Sequence, residues 1–99
     1  MSIEELGQVA DFNTTVSQQL VASQARVLYG WSIAEAGGSA FAKVRLRDGT
    51  SAGKVVAVIA LIPNESSRDY FPISAVVINT GAIYLEVVTG SVEGCIYFG

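Results

Sequence analysis

Through most of the chain, apolar and polar residues alternate with a period of two, the period of a strand half-buried against a core. The run from Phe41 to Arg47 shows it most clearly, with Ala42, Val44 and Leu46 on one face and Lys43, Arg45 and Arg47 on the other. Ile83, Leu85 and Val87 share a face in the same way, and so do Val92, Gly94, Ile96 and Phe98. The segment Ala25 to Ile33 would place Val27, Tyr29, Trp31 and Ile33 on one face and Arg26, Leu28, Gly30 and Ser32 on the other. That predicts a ridge of large side chains. Gly30, wedged between two rings, predicts a spot where a neighbouring ring or backbone comes too close for a side chain. Lys54 to Ile62 is β-branched and apolar on both faces, which predicts a central strand covered on both sides.

Turn-forming clusters separate these runs: Ser23-Gln24, Glu35 to Ser39 with Gly37-Gly38, Asp48-Gly49, Pro63 to Ser67, Thr80-Gly81 and Gly90. Asp48-Gly49 suits the positive φ of a tight hairpin. Arg68 to Phe71 reads as a short edge strand stopped by Pro72, because proline cannot donate to a ladder. Seven or eight strands with turns about every 8–12 residues predict an all-β domain, an antiparallel β-sandwich of jelly-roll-like kind, with a small β-barrel as the alternative. Residues 1 to 13 stand apart. Ser2 and Glu5 have capping-box spacing and Ile3, Leu6 and Val9 recur every three residues, so an N-terminal arm or short helix is expected before a sandwich spanning 14 to 99.

At 99 residues the chain is sized for one domain with one modest core. A hydrophobic share of 51% against 15% charged is high for a small fold and points to apolar surface that meets a partner. The acidic start Met1 to Leu6 lacks a signal-peptide pattern, and no apolar run is long enough to span a membrane, so synthesis in a cytoplasm without export or membrane insertion is expected. A net charge of −3 disfavours binding of nucleic acid through its phosphates. The single cysteine, Cys95, sits in an apolar alternating run and is expected as a buried, inert thiol.

The chain has no histidine, which removes Ser-His-Asp and Cys-His constellations and histidine-based metal sites. Its acids lie mostly in turns and near the start; of the nine, only Glu86 and Glu93 fall mid-strand, so no pair is set for hydrolytic acid–base work. No catalytic residue, metal or cofactor is expected. The cationic stripe Lys43, Arg45 and Arg47 has two readings: a docking strip for an acidic surface, or a solvated strand face paired with Glu86 or Glu93. Tyr29 and Trp31 likewise read either as a sugar-stacking face or as core.

The stretches Ala25 to Ile33, Ser39 to Thr50, Glu65 to Phe71 and Gly90 to Gly99 together resemble small β-sandwich structural proteins of tailed bacteriophages, particularly those of actinobacterial hosts. The resemblance covers roughly residues 14 to 99. It implies a virion component made in the host cytoplasm, foremost a capsid decoration or cement protein on the outer surface of the head. Tail or fibre parts and host-surface carbohydrate-binding modules are the alternatives. Its implied partners are the major capsid protein and further copies of itself, a trimer in the expected arrangement, with no nucleic acid and no membrane. On that reading Ile3, Leu6, Val9 and Phe12 of the arm and Lys43, Arg45 and Arg47 of the basic stripe are the contact residues.

Overall fold

The strands predicted from alternation assemble, in a computed structural model that describes residues 8–71 and 73–99, into two antiparallel sheets packed face to face. Among the described residues the strands are β1 (Gln8–Thr14), β2 (Gln18–Val21), β3 (Val27–Glu35), β4 (Ala42–Asp48), β5 (Lys54–Leu61), β6 (Ser66–Tyr70), β7 (Val76–Val77), β8 (Ile83–Thr89) and β9 (Val92–Phe98). One sheet has the order β1-β9-β3-β6, with the two-residue β7 also pairing β3, and the other has the order β2-β8-β4-β5. These orders follow from winding one long antiparallel ribbon. β1 pairs with β9, β2 with β8, β3 with β6 and β4 with β5, and β9–β3 and β8–β4 pairings close the wind. That is the jelly-roll order, so the sandwich expectation holds and the ladders do not join into a barrel.

The inner rows supply the core. Leu28, Ile33, Val92 and Ile96 of the first sheet face Val44, Leu46, Ile83 and Leu85 of the second, and all are essentially inaccessible to water. Each contributes about 1.5–3 kcal/mol by leaving water. The alternation of β4, β8 and β9 is the one legible in the sequence.

Three expectations are corrected. Residues 8 to 13, expected to belong to an arm or helix, form β1 and pair in unbroken register with β9, from Gln8 opposite Phe98 to Thr14 opposite Val92. Residues 1–7 lie outside the described part of the chain. The face drawn for Ala25 to Ile33 is not one face: a bulge between Leu28 and Gly30 shifts the register against β9, so Leu28 points inward before it and Ile33 after it, while Val27 and Tyr29 stay half-buried. Finally, β5 is an edge strand rather than a central one, paired with β4 on one side only. Its apolar inner row, Ile59 and Leu61, is buried, but its outer row is in water: Val58 is 55% exposed, and Ile62 just past the strand 56%.

Candidate interaction surface

Where the chain turns at the two ends of the sandwich, buried carboxylates hold the connections. Glu35 closes β3 with its side chain pointing in, and its oxygens accept the backbone N–H groups of Gly37 at 2.6 Å, Gly38 at 2.7 Å and Asn64 at 2.9 Å. The bond from Asn64, with those from Gly38 and Gly37, holds this carboxyl below its ordinary value against the opposing effect of burial. At the other end Asp48 accepts from the Asn79 N–H at 2.8 Å, the Thr80 N–H at 3.1 Å and the Thr80 hydroxyl at 2.7 Å. Burial is the largest single influence on Asp48 and raises it, yet these bonds and the nearby Lys54 charge together leave it lowered. Both residues stood in sequence as turn formers. Their signal is an acid next to a glycine pair or turn, which does not distinguish a buried staple from a solvated loop.

On the outer face of the β2-β8-β4-β5 sheet, alternation turns the side chains of Lys43, Arg45 and Arg47 outward from β4. Arg45 lies opposite Glu86 on β8, and one oxygen of that carboxylate accepts from Arg45 and from Arg47, each at 3.1 Å. Arg47 also donates to the Gly53 carbonyl at 2.7 Å. The Arg45 bond, helped by Arg47, keeps Glu86 below its ordinary value although partial burial opposes it. Two of the three cations are therefore held by an acid on the neighbouring strand, the pairing reading of the stripe. Lys43 differs. It lies opposite Ala60 on one side and Thr89 on the other, and it pairs with no acid among the described residues.

Lys43 instead borders an open groove of about 300 Å³, lined by Phe41, Lys43, Ala60, Ile62 and Thr89. Phe41 is 66% exposed. With Val58 and Ile62 it makes an apolar border beside the β4 cations. This cluster was missed in sequence because Lys54 to Ile62 was expected to be covered on both sides.

Of the arm residues, Ile3 and Leu6 lie outside the described residues. Val9 is on β1 and 46% exposed, available for a contact. Phe12 is not available: it is 7% exposed and belongs to the core, because β1 turns it onto the inner face. The arm set is thus split, and it is distant in the topology from Lys43, Arg45 and Arg47, being on the opposite sheet.

The aromatic residues of the β1-β9-β3-β6 sheet are packed among themselves. Trp31 meets Phe71 edge to face at 5.7 Å, donates its ring N–H to the Ser67 hydroxyl at 3.2 Å and packs against the core. On the outer side Tyr70 and Tyr97, the partners of Gly30 on the two flanking strands, meet edge to face at 6.0 Å. A Cβ on Gly30 would run into the Asp69 carbonyl oxygen and come within 2.8 Å of the Tyr70 Cα, so the close approach expected at this glycine is a backbone. Cys95 is half-buried on β9, a free thiol and less enclosed than expected. No known protein family, curated protein or solved structure matches the chain.

Proposed function

We propose that this chain is a non-catalytic structural protein of a bacteriophage particle, a decoration protein that seats on the outer surface of the head and stabilises it. The observation that carries the reading is the outer face around Lys43. There Lys43, a cation without an acid partner among the described residues, lines an apolar groove together with the exposed Phe41 and Ile62, and Val58 on the same outer face is exposed too, a surface suited to lasting association. A carboxylate presented by the shell would pair with Lys43 while apolar side chains fill the groove. The resemblance of residues 14 to 99 to phage β-sandwich proteins supplies the particle, and the jelly-roll wind is one that viral capsid domains use, an analogy of fold alone. Binding only the assembled shell would stabilise it by mass action.

The arrangement of Trp31 favours this over a glycan-binding module, since its ring is engaged by Phe71, Ser67 and the core. The test is the copy number of the chain in purified particles, together with the heat sensitivity of particles made without it. Many copies per head and earlier thermal rupture of deleted particles are expected, with occupancy falling for Lys43→Glu. A few copies confined to the tail, or none in the particle, would overturn the proposal.

A further inference from the structure

A sheet edge offers unpaired N–H and C=O groups to any other strand, and folded chains blunt such edges with charge, shortness or cover. Among the described residues, three of the four edges are blunted. β2 has four residues, β1 carries Asp11 at its centre, and β6 carries Arg68 and Asp69. β5 is different: it is eight residues long, its only charge is Lys54 at the first position, and every second residue turns its backbone polar groups away from β4. A register shift at Val56 interrupts only its beginning. The turn beyond it is closed, as the Ile62 N–H donates to the Glu65 carboxylate at 2.9 Å, so the open stretch is residues 57–61.

We propose that this edge is a self-association site, at which β5 of a second copy of the chain pairs antiparallel to form one continuous eight-stranded sheet. The sequence of β5 suits its own copy. With Ile59 on the two-fold axis, Val58 meets Ala60 of the second copy on the outer face and Ala57 meets Leu61 on the inner face, and apolar opposes apolar throughout. Like charges are kept apart. Lys43 and Arg45 lie opposite Ala60 and Val58 on β4, so the Lys43 of one copy and the Arg45 of the other are separated by three strand spacings. At about 4.8 Å each that is about 14 Å, beyond the Debye length of about 8 Å at physiological ionic strength. Such a pair is two-fold, in contrast to the three-fold trimer that the phage resemblance implies.

Pairing about an axis normal to the sheet leaves both outer faces on the same side, so both Lys43 grooves would meet one surface. The inference deepens the docking reading in that respect, but the pairing itself is measured on the purified chain without any shell.

Sedimentation of the wild-type chain across a concentration range should show a dimer. Val58→Lys should raise the dimer dissociation constant by about tenfold or more, because a charge would be placed against apolar neighbours. Ala60→Lys should do the same with almost no apolar surface removed. Val77→Lys, at an equally exposed valine on the other sheet, should leave the dimer unchanged. Hydrogen exchange of the wild type reads the same interface without substitution, with slower exchange in residues 57–61 as concentration rises. A chain that stays monomeric, an oligomer that both β5 variants leave intact, or exchange at 57–61 indifferent to concentration would overturn the pairing. Failure of Lys43→Glu to lower shell occupancy while the dimer persists would count against the docking reading alone.

Discussion

β5 and β6 follow one another in the chain and each forms the edge of its sheet, yet they deal with that position in opposite ways. β6 is polar, with Ser66, Arg68 and Asp69 in water, and it is secured by what it reaches on β3: the Trp31 ring bonded to the half-buried Ser67, and the absent side chain of Gly30. β5 is apolar and secured by its buried inner row, leaving its outer row and backbone edge open. The contrast teaches that edge position does not dictate composition. An edge kept polar is made to stay an edge, and an edge left apolar is free to gain a neighbour.

The largest effect on the β6 edge is expected at Gly30. Gly30→Ala places a Cβ against the Asp69 carbonyl, backbone that cannot swing aside, and should cost about 2–4 kcal/mol in denaturant unfolding, with β6 amides exchanging first. Trp31→Ala should follow at about 2–3 kcal/mol, below the loss of a fully enclosed ring because Trp31 is only half-buried. Thermal melts of the two variants side by side would rank them.

A pH titration comes next. Glu35, Asp48 and Glu86 are all held below their ordinary values of 4.5, 3.8 and 4.5. Their stabilisation is therefore fully present above about pH 5, and it is lost as pH falls through those ordinary values towards the lowered ones. Glu35→Gln should lower stability at neutral pH and shrink the acid-dependent loss, since its clamp on Asn64, at the connection between β5 and β6, no longer titrates. A Glu35→Gln variant with an unaltered acid profile would show that Glu35 takes no part. The smallest effect is expected at Arg45→Ala, within about 1 kcal/mol, because the pair with Glu86 is partly exposed and Arg47 remains to hold the same oxygen.

Much of the architecture is legible in the sequence alone. The alternation of Ala42, Val44 and Leu46, of Ile83 and Leu85, and of Val92, Ile96 and Phe98 fixed which side of each strand faces the core, because the period of two leaves no other choice. The cations of β4 were legible too, as was their alternative pairing with Glu86. Less could be read where local pattern and long-range pairing part company. Val9 continues the every-third-residue spacing of Ile3 and Leu6, which reads as an arm or short helix, and only β9, some eighty positions away, makes a strand of Gln8 to Thr14 and turns Phe12 into a core residue. The bulge at Tyr29 and Gly30 has no period of its own. It shows only in the pairing with β9, next to a glycine whose neighbouring backbone on β6 leaves no room for a Cβ.

Periodicity and residue type act locally, so the alternation of the chain gave strands around an apolar interior and its composition left no histidine chemistry. A sandwich and a small barrel both remained compatible until the pairing of the strands into two separate sheets chose the sandwich. Which strands lie at the edges was decided only by the tertiary structure. An apolar strand such as β5 has the same pattern whether a neighbour of its own chain covers it or not, and the winding of the ribbon, set by pairings far apart in sequence, left that place open.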